Sequence, residues 1–495
     1  MLPASQHEVP VNKFSFSKLV CILSAMCCLA AAIPSSAQTF DTLLSFDNSD
    51  GTEPQLPPVQ GVDGNLYGVT FAGGLNGGGT VYKITPEGVF STLYNFCSQP
   101  NCTDGDLPFD GVLAGSDGNL YGTTLEGGVN RSGTVFRLTL QGVLTPIYSF
   151  CSQANCADGA SPNGILQATD GNFYGTTMTG AASGRGTIFK LTPQGAFTLL
   201  YIFAGSYDIN ESFSSLIQGT DGNFYGTTDL GGFSNFPDCR FYGCGTVFKI
   251  TPKGNFTTLY NFCSRKDCVD GATPYWLIQA ADGSFYGVTG AGGAHKAIGG
   301  TIFRLTSRGE LTTVYSFCAQ SDCADGSEPI SLAQAARGGN FYGVTFHGGS
   351  TKKCQRGCGT VFEITSTGTL TSLHSFDLTG GTEPYGLTQA TSGEFYGVTL
   401  SGGTGGYGTI FSLSTGLASF VETLPAAGKA GANVTILGTD LVGTTSVSFH
   451  GTPATFTVVS TSEITTSVPD GASTGAVEVT TPSGTLSSNV VFRVQ

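Results

Sequence analysis

Charge is what this sequence has least of. Asp, Glu, Lys and Arg make up 11% of its 495 residues, against roughly 25% in an ordinary soluble domain. The few charges lean one way: 35 acids face 21 Lys and Arg, a net −14 that repels nucleic acid and anionic membrane surfaces. Histidine is scarce too, at five residues. His7 lies in the N-terminal segment, His374 replaces a strand aromatic and His450 lies near the C-terminus. That leaves His295 and His347, too few for a histidine metal centre. Beyond residue 33 there is no sustained helical periodicity, and neither a P-loop nor a nucleophile elbow occurs anywhere. What abounds is glycine, 73 residues, beside an ordinary 40% of apolar residues. The chain is therefore neither disordered nor helical, and it has length for more than one domain.

The long apolar run is N-terminal. Lys13 and Lys18 precede LVCILSAMCCLAAAI (19–33), then PSSAQ, with Ser35 and Ala37 at the small-residue spacing a signal peptidase accepts. The run is short for a membrane span. Residues 1–37 read as a signal peptide and the mature chain as exported; a lipid anchor through Cys27 is opposed by the bulk of Met26 before it. Export leaves twelve cysteines, each with a neighbour four or five residues away. In an oxidising compartment, with no CxxC spacing, they predict six disulfides: Cys97–Cys102, Cys151–Cys156, Cys239–Cys244, Cys263–Cys268, Cys318–Cys323 and Cys354–Cys358.

The rest of the chain repeats itself. Tyr-Gly-(Val/Thr)-Thr occurs seven times, its tyrosine at 67, 121, 174, 225, 286, 342 and 396, and Gly-Thr-(Val/Ile)-aromatic follows each copy. One unit, ILQATDGNFYGTTMTGAASGRGTIFKLTPQGAFTLLYIF (165–203), holds four β-branched and aromatic runs separated by turn signals. Asp-Gly-Asn divides the first two and Thr-Pro-Gln-Gly the last two. Each unit is thus four antiparallel strands, and seven units predict an all-β seven-bladed β-propeller over 38–415. Its ends close it. DTLLSF (41–46) is a lone fourth strand, and GTIFSL (408–413) is a third strand with no fourth after it. Pairing the two completes the last blade and removes two exposed edges.

In such a meander the minimal first–second and third–fourth turns share one face. The longer second–third and fourth–first loops share the other, and every cysteine pair falls there. A bridge closing so short a loop adds only about 2 kcal/mol by chain entropy. Fixing the shape of a protruding loop is the larger effect expected.

The phrase set LIQ(A/G)TDGNFYGTT…GTVFKITPxG…LYNF resembles the GloVer tandem repeat of exported bacterial choice-of-anchor proteins, over roughly 39–415 and in seven agreeing copies. The resemblance implies a secreted or cell-surface β-repeat protein carrying one of several C-terminal attachment modules, with no particular biochemistry. After LSTGLASF the composition changes. Residues 416–495 resemble an IPT/TIG immunoglobulin-like domain through VTILGTDL, SVSFHGTPATF and ITTSVPDGASTGAVEVTTPSG, with about seven short strands and no cysteine. Such domains bind or space rather than catalyse.

Asp104, Asp158, Asp270 and Asp325 follow the second cysteine of four similar loops. They either offer carboxylates to a cation or sugar hydroxyl, or build Asp-Gly turns. Glu126 and His347 stand just before Gly-Gly in their second–third loops, where other units have Ala72, Thr179, Leu230, Ala291 and Ser401; Asp229 and His295 are near. Variation on a fixed frame suits a binding surface, and suits loop drift equally. The seven tyrosines pack between blades or form a sugar-stacking ring. Gln60, Gln167, Gln218, Gln279, Gln334 and Gln389, with Ala114 the exception, satisfy the inner strand's open edge or line a channel site. Asp-Gly-Asn lacks the alternating acids of a calcium loop, and Trp276 alone cannot mark kelch repeats. No catalytic residue, metal or cofactor is nominated. The expectation is a monomeric, secreted or cell-surface binding or scaffold protein whose ligand, a glycan or surface protein, meets the disulfide-bearing face. The alternative is a lactonase-like hydrolase or lyase using the channel mouth.

Overall fold

The computed structural model describes residues 38–495 apart from 182, 204–215, 233–242, 296–297 and 337. The expected signal peptide and Cys239 lie outside the described residues. The repeat folds as its pattern dictates. In one unit the first strand is Ala160–Gln167, the second Phe173–Thr179, the third Thr187–Leu191 and the fourth Phe197–Ile202, antiparallel in that order. Between residues 39 and 414 there are seven such four-stranded sheets. The seventh takes its outer strand from the N-terminus: Thr39–Ser45 pairs with Thr409–Ser414, Thr42 lying opposite Phe411. Its second strand, Phe395–Ser401, packs on the first strand of the first sheet, Thr52–Gln60, so the series returns on itself. The result is an all-β, propeller-like ring closed by its own beginning, and the first strands line a common channel.

Each repeated residue has a mechanical job. The two recurring threonines bond to each other across the second and third strands: Thr177 Oγ1 lies 3.0 Å from Thr187 Oγ1, and the six counterparts lie at 2.8 or 2.9 Å. Five of the recurring tyrosines stack on the next sheet's phenylalanine, as in Tyr174–Phe224 with ring centroids 4.0 Å apart. Five donate their hydroxyl to the aspartate of the first–second turn, as Tyr174 does to Asp170 at 2.9 Å, where Lys190 braces the same carboxylate at 3.1 Å; Tyr342 and Tyr396 donate to Glu363 and Glu394 instead. These tyrosines are spokes between sheets, not a sugar-stacking ring. The glycine after each tyrosine leaves room for the third-strand aromatic: a Cβ on Gly175 would stand 2.7 Å from Phe189 Cζ. Gly175→Ala is expected to lower unfolding stability by about 1–3 kcal/mol through overpacking, read as an earlier denaturation midpoint; an unchanged midpoint would contradict it.

A further device was not read from the sequence. The residue before each first-strand proline (Glu53, Leu107, Ser161, Thr273, Glu328, Glu383) has φ between +51° and +60°. L-residues avoid that region, above all without glycine. Its N–H reaches back to the loop of the preceding sheet, Ser161 to Ser132 O at 2.9 Å and Glu328 to Gly299 O at 3.0 Å. The strain is offset by a bond that ties neighbouring sheets together.

The glutamines also work between sheets. Gln167 Oε1 accepts the Ser116 N–H at 2.8 Å, and Gln218, Gln279, Gln334, Gln389 and Gln60 do the same for Thr169, Thr220, Ala281, Ala336 and Thr391. They cap the turn of the preceding sheet, not the open edge of their own strand as expected. Ala114 leaves one seam, between the first two sheets, without this latch.

Residues 420–494 form ten short strands: a sheet holding Glu422–Leu424, Asn433–Leu437, Phe456–Val458 and Glu463–Ser467, a second four-stranded sheet, and a parallel pair, Ala427–Gly428 with Arg493–Val494. Val434, Ile436, Val447, Phe449, Ile464 and Val479 fill the space between. The count exceeds the seven expected because two-residue ladders such as Thr452–Pro453 are too short to leave a pattern. No helix among the described residues is long and apolar enough to cross a membrane.

Candidate functional site

The fourth strand of each sheet runs into the loop leading to the next. In four of these loops both cysteines and the residue before the second are left-handed, as at Cys151, Asn155 and Cys156 with φ of +56°, +56° and +48°. Two restraints hold so unfavourable a backbone. One is the disulfide: Cys97–Cys102, Cys151–Cys156, Cys263–Cys268 and Cys318–Cys323 are bridged. The other is the aspartate. Asp158 Oδ2 accepts from Tyr148 Oη at 2.8 Å and from Ser152 N and Oγ at 2.9 Å each, while Oδ1 accepts from Gln153 N at 3.2 Å. Asp104 and Asp270 repeat the set, and Asp325 accepts from Tyr315 Oη, Ala319 N and Gln320 N. All four are at most 3% exposed. These carboxylates face into their loops rather than out toward a ligand, because the loop's own donors surround them. Burial pushes the Asp158 carboxyl up, but the bonds from Tyr148, Ser152 and Gln153 outweigh it and hold its pKa below the ordinary value.

The second–third loops carry Cys354–Cys358, and Cys244 is likewise oxidised, its expected partner lying outside the described residues. The sulfurs of Cys244, Cys263 and Cys268 gather closely, as do those of Cys97 and Cys102 beside Asp106, but as disulfide sulfurs they are not thiolate ligands. The tips of the loops on this face expose apolar side chains: Leu75 at 82%, Val129 at 75%, Ile298 and Leu378 at 50%, Tyr407 at 41%.

Glu126 and His295 are exposed on separate sheets. Asp229 is buried just after the second strand of the fourth sheet, and His347 is half-buried at the end of the second strand of the sixth. The strained position before proline delivers Glu328, whose Oε2 lies 3.6 Å from His347 Nε2 and 3.7 Å from Arg356. Burial, helped by the Arg356 charge, brings the His347 pKa down to about 4, so the imidazole is neutral at physiological pH. Burial raises Glu328, and the Glu383 charge adds to it. Tyr275 is pushed up to about 12 by burial and by the charges of Glu328 and Asp229. Tyr385 is pushed up to about 12 by burial and by its neighbours Tyr275, Asp110 and Glu328. The Glu328 charge thus reaches both tyrosines, with Asp229 adding to it at Tyr275 and Asp110 at Tyr385. Beside them a cleft of about 890 Å³ opens between the loops 321–327 and 349–357, lined by Lys352, Lys353 and Arg356.

Sequence reasoning missed the clamp tyrosines. A partial signal was there: Tyr94, Tyr148, Tyr260 and Tyr315 precede the four cysteine loops and Leu44 and His374 hold that position before loops without cysteine, but Tyr201 stands there too before a loop that has none. The x-Pro position and the mouth acids had no such marker.

The fold and site define an all-β, propeller-like repeat protein with one disulfide-clamped face. The chain belongs to the Gloeobacter/Verrucomicrobia repeat family, whose profile matches residues 31–238 and 237–458. No curated protein sequence matches it. Among solved structures it is similar to virginiamycin B lyase from Staphylococcus aureus, at 16% identity and a TM-score of 0.49, covering 76% of this chain and 99% of that one. It is also similar to PorZ, a surface component of the type-IX secretion system of Porphyromonas gingivalis, at 16% identity and a TM-score of 0.46, covering 91% of this chain and 60% of that one. A third is the aldose sugar dehydrogenase of Streptomyces coelicolor, at 13% identity and a TM-score of 0.37, covering 61% and 92%. These are likenesses of fold only.

Proposed function

We propose that this is an exported recognition protein: a seven-bladed propeller (38–415) with an immunoglobulin-like C-terminal domain (416–495), binding a surface protein or glycan on its clamped face without catalysing a reaction. The observation that carries the reading is the pairing of rigidity with exposure. Loops locked by disulfides and buried aspartates share a face with the bare apolar tips Leu75, Val129, Ile298, Leu378 and Tyr407. Apolar tips carried on stiff loops favour a protein partner over a glycan. Five disulfides among the described residues support an oxidising, extracellular location.

The test compares two double variants in binding to isolated cell envelopes and to a glycan array. Leu75→Asp with Val129→Asp is expected to weaken binding tenfold or more. Val89→Asp with Val143→Asp, at exposed third–fourth turns on the opposite face, is expected to leave it unchanged. Equal losses would end the proposal. A hydrolase or lyase at the mouth is the second reading, favoured by the grouping of Glu328, His347 and Arg356 near Tyr275 and Tyr385. Stoichiometric divalent metal in the purified protein, with no envelope or array binding, would move the assignment there.

A further inference from the structure

The channel has a closed end. Three sets of bonds seat residues 420–494 over the first–second turns: Ser462 Oγ donates to Val62 O at 2.8 Å, Arg493 Nη1 to Thr220 O at 2.8 Å, and Thr391 and Thr439 share a hydroxyl bond at 2.9 Å. Beneath this lid lie two adjoining hollows of about 370 and 510 Å³ that have Leu113, Ala114, Glu422, Leu424 and Asn489 in common. Their size falls in the range of about 300–1,000 Å³ typical of small-molecule sites.

The polar groups facing this chamber are unevenly spent. The glutamine oxygens are committed to neighbouring turns, which leaves the carboxamide N–H groups. Gln279 and Gln389 give one each to Gly283 O and Gly393 O at 3.0 and 3.1 Å. The Gln60 and Gln334 amide groups, both at the chamber wall, have no acceptor among the described residues. Glu422 projects from the lid, half-buried, and lines both hollows. That carboxyl has no hydrogen-bond partner among the described residues, and burial raises its pKa. A partnerless carboxyl and idle amide donors facing one hollow are free to take up a ligand's hydroxyl groups. Val59, Leu113, Ile165 and Leu216 supply apolar wall between the polar points.

We propose that this chamber binds a neutral, sugar-sized molecule rich in hydroxyl groups, held by the Glu422 carboxyl and the free carboxamide N–H groups. Hydroxyl oxygens accept from the amides, hydroxyl hydrogens go to the carboxyl, and C–H faces lie on the apolar wall. A bare cation would meet amide hydrogens, and an anion would meet the carboxyl. Neither suits the whole lining. This site is independent of what the clamped face binds.

Saturation-transfer NMR on the full chain with glucose, galactose and mannose tests the proposal. At least one hexose is expected to receive saturation, and Glu422→Gln, which keeps the shape, is expected to weaken its binding tenfold or more while the melting curve stays put. A crystal soaked in the responding sugar should place it against Glu422. Binding unaffected by Glu422→Gln overturns the proposal, as does a panel without transfer and a chamber holding only ordered water.

Discussion

A chain lacking Thr39–Phe46 will not hold its ring closed. Deletion strips the seventh sheet of its outer strand and bares the edge of Thr409–Ser414. It also removes Phe46, fully buried against Tyr82 and Phe90, and Phe40, which stacks on His374 at 3.6 Å and on Phe411 at 5.2 Å. Truncating one buried phenylalanine costs about 3–5 kcal/mol, so losing Phe46 together with the half-buried Phe40 and a ladder should cost more than about 3 kcal/mol. Chemical denaturation should show the shift, and size-exclusion chromatography should show dimers or larger species formed through the bared edge. Adding the peptide TFDTLLSF in trans should restore the monomer. A monomeric deletion variant with an unaltered midpoint would sink the closure account.

Asp158→Ala should release one loop while sparing the sheets. Tyr148, Ser152 and Gln153 lose their shared acceptor. Each buried donor left unpaired costs about 1–3 kcal/mol, and only Cys151–Cys156 then opposes the left-handed backbone. Amide exchange at Ser152 and Gln153 should accelerate a hundredfold or more, and proteases should cut between 152 and 155 once the disulfide is reduced. The wild-type loop should imitate the variant in acid. Because the folded carboxyl is held below its ordinary value, its contribution is complete above the unfolded aspartate pKa and is lost as the pH falls through the folded one. Exchange that stays slow in the variant would show that the disulfide alone sets the loop.

Strands, repeat number and ring closure were legible because each rests on a short pattern read one unit at a time: apolar runs, Asp-Gly-Asn turns, an unmatched DTLLSF. The disulfides were legible because their partners are four or five residues apart. The aspartates were noticed, but their direction was not, since a turn residue and a ligand residue look alike until their donors are located. The glutamines were placed correctly on the first strand and given the wrong partner, because the acceptor they provide serves another sheet 49 to 59 residues away, or 331 at the closure. Glu328 acts on Tyr275 and Tyr385, from the sheets on either side of its own, only because the ring turns. No spacing in the chain announces them.

Seven near-identical sheets present seven interchangeable seats to whatever rests on them, and repetition by itself cannot choose. Single side-chain contacts break the tie. At the seam where the carboxamide is missing, Ser462 reaches the carbonyl of Val62, and Arg493 and Thr439 find their places three sheets on and one sheet back. Three contacts, on the first, fourth and seventh sheets, thus set the angle at which the C-terminal strands are mounted and hence which sectors of the channel Glu422 confronts.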